Sequence, residues 1–342
     1  MADEKQSIAP GGPGDSPDTT RATSPAAGPS AVLAEGVVVR STGSKYDVHV
    51  DGHVISAGIR GKFRLSRQSE TNPLAVGDRV SVRIAHNGAT IEEIFERTNR
   101  LVRRAAGRRI GLEQVIVANV DFAWVVQSTF LPKLNPGFID RFLVMAQRDE
   151  IPAGIIVNKA DLITDKARGA IDDWCQLYAS LGYPVLFTSA ETGTGIDDLR
   201  VLLAGKTTVL CGPSGVGKSS LINAIDPVLR IRTGDVSTKT RKGKHITSNA
   251  TLYTLSNKGR VVDTPGLREF GIIDIEPFEL GYYFVEFVPY LHDCRYPNCT
   301  HDHEPECAVV DAIERGEIPD ARWASYLNIL ASIQQGESDV GR

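Results

Sequence analysis

The strongest constraint on the fold is a glycine loop, "GPSGVGKSS", that opens at Gly212. It follows the apolar run "TTVLC" and leads into "SSLINAI", so the chain must pass from a buried strand through a tight turn into a helix. Gly212, Pro213, Ser214, Gly215, Val216, Gly217, Lys218 and Ser219 satisfy GxxxxGK[ST], the pattern of a phosphate-binding loop. Glycines leave the backbone N–H groups free to wrap phosphates, and the helix N-terminus adds a favourable dipole. Lys218 is then placed to reach the β- and γ-phosphates as a catalytic group, and Ser219 to ligate Mg2+.

Downstream, Asp263 in "RVVDTPGLREF" ends an apolar run just before Thr-Pro-Gly. That is the place for a carboxylate that holds magnesium through water, followed by a glycine that senses the γ-phosphate. Between the two lies "RIRTGDVSTKTRKGKHITSNATLY", with Arg230, Arg232, Lys239, Arg241, Lys242, Lys244 and His245 opposed only by Asp235. A basic loop here can order around a γ-phosphate, contact RNA, or do both in sequence. Thr247 is the candidate for the threonine that completes magnesium coordination, with Thr240 and Thr251 as competitors.

Two further segments read as a purine pocket. Asn158-Lys159-Ala160-Asp161 follows "AGIIV", at the carboxyl end of a strand where open α/β sheets bind nucleotides. The Asp161 carboxylate can accept from both the ring N–H and the exocyclic amine of guanine. Adenine offers no such pair of donors. Lys159 can lie along the base, and Asn158 can tie this loop to the phosphate loop. Ser189 and Ala190, in "FTSAETG", close the next strand, and the Ala190 N–H is placed to donate to the guanine carbonyl oxygen.

The base-reading segments precede the phosphate loop, the reverse of the usual GTPase order. The joint match therefore predicts a circular permutation, which compact domains tolerate because their termini lie close together. One consequence is that the segment after Asp263-Thr264-Pro265-Gly266 runs directly into a Cys/His-rich stretch.

That stretch, "CRYPNCTHDHEPEC", supplies Cys294, Cys299 and Cys307 with His301, a C-x5-C-x-H-x5-C arrangement suited to one structural zinc. By spacing alone, His292 and His303 compete with His301 for the nitrogen position. Cys175 and Cys211 lie in apolar runs and read as core residues.

Upstream, residues 1–33 are Pro, Gly, Ser, Thr and Ala with few bulky apolar side chains, and are expected to be disordered. From Glu35, the runs "GVVVRST", "KYDVHV", "HVISAGI", "DRVSVRIA" and "ATIEEIFE" alternate like strands of a small barrel. Five short strands suit an OB-type barrel, with an SH3-like barrel as the alternative. Next, "ERTNRLVRRAAGRR" carries Arg97, Arg100, Arg103, Arg104, Arg108 and Arg109, six arginines in thirteen residues, and reads as a linker that contacts a polyanion. The net charge of −4 gives no global signature of this kind, so the basic surface is local.

Apolar runs then alternate with helical ones, which predicts a parallel sheet covered by helices on both faces. No apolar run approaches the about 20 residues needed to span a bilayer. The cysteine pattern and the acidic N-terminus point to a reducing, cytoplasmic location without a membrane anchor. The expected organisation is a disordered tail over 1–33, an OB-fold RNA-binding domain with its Arg-rich linker over 34–104, a circularly permuted P-loop GTPase over 105–273, and a zinc-binding helical domain over 274–342.

The union of barrel, permuted GTPase and Cys/Cys/His/Cys segment resembles the RsgA (YjeQ) family of small-ribosomal-subunit assembly GTPases, over about residues 35–335. The resemblance implies GTP contacts from Asn158, Lys159, Ala160 and Asp161 and from Gly212 through Ser220, and zinc on Cys294, Cys299, His301 and Cys307. It further implies a barrel that binds ribosomal RNA, a monomer that exchanges GTP and GDP, and hydrolysis stimulated by the small (30S) subunit. After "DTPG" stands Leu267, where many GTPases place a water-orienting glutamine. The family's switch segment puts His245 in that role, and "KHIT" here, with Ile246 for a threonine, favours Thr247 as the magnesium ligand. A nucleotide-gated RNA-binding module with little catalysis and a metallochaperone GTPase are the alternative readings.

Overall fold

The computed structural model describes residues 31–42, 45–60, 63, 73–86, 88–104, 113–233, 250–264, 272 and 274–335. His245, Thr247, Thr240 and Leu267 lie outside the described residues, as do Arg108, Arg109 and most of the expected tail.

Five strands, β1 (Val32–Ser41), β2 (Tyr46–Val50), β3 (His53–Ile59), β4 (Arg79–Ala85) and β5 (Gly88–Ile94), form the N-terminal unit. They pair in the order β1-β2-β3-β5-β4, and β4 returns to β1 to close the barrel. β3 and β5 run parallel while the other pairs are antiparallel. This closed five-strand Greek key is the OB-type barrel rather than the SH3-like alternative. Its interior is filled by Val38, Tyr46, Val48, Val80, Val82 and Ile91, the inward members of alternating runs. β1 already includes Val32 and Leu33, expected in the tail, because their backbone pairs with Ile84 and Arg83 although their side chains are exposed.

Within the arginine-rich segment, the expectation for Arg97 is corrected. The Arg97 side chain is 8 % exposed and ion-paired with the fully buried Asp78, its Nε 2.6 Å from Asp78 Oδ1. It fastens the barrel's exit instead of facing a polyanion, because a buried carboxylate requires a charged partner. Next, β6 (Arg100–Arg104) pairs antiparallel with β7 (Glu113–Ala118) and buries Leu101 and Val102. The apolar pair inside the arginine run makes Arg100–Arg104 a hairpin strand rather than a linker.

The central sheet places β8 (Phe122–Ser128), β9 (Ala153–Asn158), β10 (Val185–Phe187), β11 (Thr207–Cys211) and β13 (Arg260–Asp263) in parallel, in the order β10-β9-β8-β11-β13. β12 (Thr251–Thr254) joins antiparallel at the β13 edge, and Arg40 of β1 pairs with Thr251 there. Thr251, one competitor for the switch threonine, therefore opens the strand that lies between β13 and β1 of the barrel. α1 (Pro136–Arg148) starts at Asn135, whose side chain accepts from the Phe138 N–H, with Pro136 in the first turn. α2 (Asp165–Ser180), α3 (Ile196–Leu203) and α4 (Lys218–Ile225) complete the crossovers.

Period-2 alternation divides the core into two layers. Val125, Ile155, Val157, Val209 and Val262 face α1 through Phe138, Ile139, Phe142 and Leu143. Trp124, Val126, Ile156, Leu210 and Val261 face α3 and α4 through Leu199, Leu203, Leu221 and Ile222. Cys175 and Cys211 are buried, as their apolar neighbours predict.

The C-terminal unit has two 3-10 helices, Pro277–Tyr283 and Val288–Asp293, followed by α5 (Ala308–Glu314) and α6 (Asp320–Gln334). It packs on the α1 layer, and Arg322 of α6 sits at the seam. That arginine is 1 % exposed and binds Asp140 of α1 and Glu286, while Tyr178 of α2 donates to Asp140 at 2.6 Å.

Candidate functional site

β8, β9 and β10 progress to one side, and β11 then returns to the other side of β8. The crevice at the carboxyl ends of β8 and β11 is thus a topological switch point, where ligands of open α/β sheets bind. The loops after β9, β10, β11 and β13 all end at this edge, and they bring Asn158 to Asp161, Ser189 and Ala190, Gly212 to Ser220, and Asp263 together.

The phosphate loop leaves β11 at Gly212, where a Cβ would stand 2.3 Å from the Val126 carbonyl oxygen of β8. A second glycine, Gly217 at φ 98°, opens α4, and a Cβ there would stand 2.4 Å from Asn158 Nδ2. Only glycine fits either place. Lys218 is nearly buried, and its Nζ donates to the carbonyls of Gly212 at 2.8 Å and Pro213 at 3.1 Å. Burial lowers its pKa, while Asp263 opposes that shift. The ammonium is therefore curled inside the loop's own ring, with Ser214 exposed and Pro213, Gly215, Ser219 and Ser220 half-buried around it.

Ser219 Oγ donates to Asp263 Oδ2 at 2.9 Å. Burial raises the Asp263 pKa, against the Ser219 hydrogen bond and the charge of Lys218. A hydroxyl and a carboxylate side by side form a hard-oxygen pair that fits Mg2+. The expected histidine and threonine, His245 and Thr247, are not among the described residues, so this face of the site is seen from Ser219 and Asp263 alone.

At the base side, Asn158 is 1 % exposed. Its Nδ2 donates to the Val216 carbonyl at 2.7 Å, and its Oδ1 accepts from Thr188 Oγ1 at 3.1 Å. One amide thus joins the loops after β9, β10 and β11. Lys159 adopts a left-handed backbone at φ 59° and ψ 41°. Asp161 is exposed, and one of its oxygens accepts from Ser189 Oγ, which also accepts from the Thr192 N–H at 3.1 Å. Thr188, Thr129 and Leu131 were not singled out in the sequence. Thr188 had one available signal, its place directly before Ser189-Ala190.

In the C-terminal unit, ligand atoms of Cys294, Cys299, His301 and Cys307 all lie within 4.8 Å of one another. Cys294 Sγ is 3.6 Å from His301 Nδ1 and 3.9 Å from Cys307 Sγ, and His301 Nδ1 is 3.4 Å from Cys307 Sγ. A tetrahedral zinc with bonds of about 2.0–2.3 Å requires ligand separations of about 3.5–3.8 Å. The four residues therefore fit one zinc. His303 is exposed beside Asp302, and His292 is exposed on its 3-10 helix, so of the three histidines only His301 is placed with the cysteines to offer the nitrogen. Glu304 ties the loop by accepting from the Thr300 hydroxyl at 2.6 Å and N–H at 2.7 Å; burial pushes its carboxyl up, but such bonds outweigh that and hold it down at about 2.

Comparisons with known proteins agree with this architecture. The model described as RsgA GTPase matches residues 94–273, beginning ahead of the expected boundary at 105, and the RsgA N-terminal domain matches residues 35–91. Small ribosomal subunit biogenesis GTPase RsgA 2 of Bacteroides thetaiotaomicron is 40 % identical over 305 residues, covering 89 % of this chain and 98 % of that protein. The RsgA of Porphyromonas gingivalis, with the same biogenesis description, is 41 % identical over 86 % of this chain and 96 % of its own. Among solved structures, YjeQ from Thermotoga maritima superposes with a TM-score of 0.72 at 35 % identity, covering 89 % of this chain and 99 % of that one. YloQ, described as a circularly permuted GTPase, gives 0.68 at 30 % identity over 90 % and 97 %. With both family models in register with the barrel and the permuted sheet, this chain belongs to the RsgA GTPase family.

Proposed function

We propose that the chain hydrolyses GTP to GDP and phosphate on the immature small ribosomal subunit, and that hydrolysis triggers its release. The observation that carries this reading is the Asn158 to Val216 bond, which fastens a guanine-selective carboxylate to a phosphate loop across a permuted strand order. Asp161 reads the purine edge, with Lys159 and Ala160 beside it and Ser189 and Ala190 closing the pocket. Gly212 through Ser220 wrap the phosphates, and Lys218 turns from its own loop carbonyls to the β- and γ-phosphates. Mg2+, held by Ser219 and Thr247 and through water by Asp263, would neutralise charge developing on the phosphates. With Leu267 in the usual glutamine position, His245 orients the attacking water.

The relatives' names supply the ribosomal part, and the barrel is chemically suited to it. Arg40, Arg79 and Arg83 are all more than half exposed, and each pairs with an acid at the surface. Such pairs contribute only about 0–1 kcal/mol, so these guanidiniums can exchange a carboxylate for a phosphate at little cost. The zinc is structural: four protein ligands leave no open position, which disfavours metal delivery. No described helix is long and apolar enough to cross a membrane, and a cytoplasmic monomer suits a partner of this kind.

The test is turnover of GTP and of ATP by the purified chain, with and without small ribosomal subunits, at low and raised salt. GTP-only hydrolysis, stimulated by the subunit and with salt-sensitive association, is expected. Equal use of ATP overturns the nucleotide reading, and absence of both stimulation and salt-sensitive association overturns the ribosomal one.

A further inference from the structure

The loop after β8 lies at the same strand edge but belongs to none of the four recognised segments. Its bonds converge on Lys159. Thr129 Oγ1 donates to the Lys159 carbonyl at 2.9 Å, and Lys159 Nζ donates to the Leu131 carbonyl at 2.6 Å. Both ends of the lysine, backbone and ammonium, are thus held by a three-residue stretch. The stretch is itself fixed, because Ser128 Oγ donates to the Phe130 carbonyl at 2.7 Å and accepts from the Phe130 N–H at 3.2 Å. The Thr129 N–H also reaches the Asn158 carbonyl at 3.3 Å.

This arrangement answers a local problem. A lysine in the left-handed region is strained and persists only where its surroundings over-determine it. The Ala160 N–H contributes one tie, donating to the Thr188 carbonyl at 3.0 Å, and Thr129 contributes the side-chain tie. With its ammonium drawn to Leu131, the lysine's methylene stem is stretched between two fixed points and forms an apolar ledge next to Asp161.

We infer that the 128–131 loop is a fifth part of the nucleotide site, and that Thr129 is a positioning residue which sets Lys159 as the ledge for the purine ring. The inference rests on the guanine-site reading given above. Thr129 touches neither base nor phosphate; it acts through Lys159. Its effect belongs to base binding, which ground state and transition state share, and not to phosphoryl transfer.

The experiment compares Thr129→Val, which removes the hydroxyl and keeps the shape, with Thr129→Ser and Ser128→Ala. GDP affinity, KM and kcat for GTP, and Tm are measured for each. Thr129→Val is expected to raise the GDP Kd and the GTP KM about fivefold, the effect of one hydrogen bond. Its kcat stays within about twofold, and Thr129→Ser restores the affinity. Ser128→Ala, which frees the loop at another bond, shifts Kd in the same direction and leaves Tm close to wild type. An unchanged Kd in Thr129→Val, a fall in kcat matching the rise in KM, or failure of Thr129→Ser to rescue overturns the inference. Wild-type protein without preference for GDP over ADP would instead defeat the site reading beneath it.

Discussion

Asn158 Nδ2 lies 2.7 Å from the Val216 carbonyl oxygen, so one buried amide holds the base-reading loop against the phosphate loop 58 residues later in the chain. In Asn158→Ala the Val216 carbonyl and the Thr188 hydroxyl both lose their partner in a buried place. A cost of about 2 kcal/mol is expected, read as a roughly 30-fold weaker GDP affinity by titration. Unchanged affinity would mean that the two loops hold their places independently.

Asp263 carries a linked trade between stability and activity. Burial raises its folded pKa above the ordinary 3.8, so its stabilising contribution is full below that value and is lost as pH rises through the raised folded pKa. Near neutral pH the ionised group is a net burden on the nucleotide-free fold. Asp263→Asn should therefore match or exceed the wild-type Tm at pH 7, lose that advantage near pH 4, and fall at least tenfold in Mg2+-dependent GTP turnover. A lower Tm at pH 7 would contradict the assignment of burial as the dominant cause.

Arg322 is the counterion of two buried acids, Asp140 and Glu286, from different units. Removing it in Arg322→Leu leaves both acids without their counterion, Asp140 keeping only the Tyr178 hydroxyl, and should destabilise the chain by about 3–5 kcal/mol. Denaturant unfolding measures this directly. A loss under about 1 kcal/mol would show that water or protonation of the acids relieves the seam.

One zinc per chain is expected from metal analysis, and Cys307→Ser or chelation should lower the Tm of the C-terminal unit. Metal binding requires thiolates and a neutral imidazole, so zinc is released more readily as pH falls. An unfolding curve indifferent to metal would rule out a structural role.

Much of the site was legible because its signals are local. "TTVLC" before "GPSGVGKSS" and "AGIIV" before "NKAD" each place a short motif at a strand end, and the five alternating runs after Glu35 form the barrel. What escaped depends on partners distant in sequence. Arg97 looked like one more arginine of a basic run, yet Asp78 takes it into the interior. Arg322 sits in a segment expected only to be helical, and its two acids are 182 and 36 residues away. Thr129 carries no motif; its role arises only where β8 and β9 lie side by side and Ser128 pairs with Asn158. The nitrogen ligand was ambiguous for a related reason, since spacing allows His292, His301 or His303 and only the folded loop turns one of them inward.

The most direct measurement of the central claim is the nucleotide preference of Asp161→Asn. An asparagine offers one donor and one acceptor where the aspartate offers two acceptors, so it suits xanthine, whose C2 carbonyl replaces the guanine amine. The account predicts that GTP affinity falls about 100-fold or more while XTP affinity rises above that of wild type. GTP binding that survives unchanged in Asp161→Asn, or a wild type that takes ATP equally well, would contradict it.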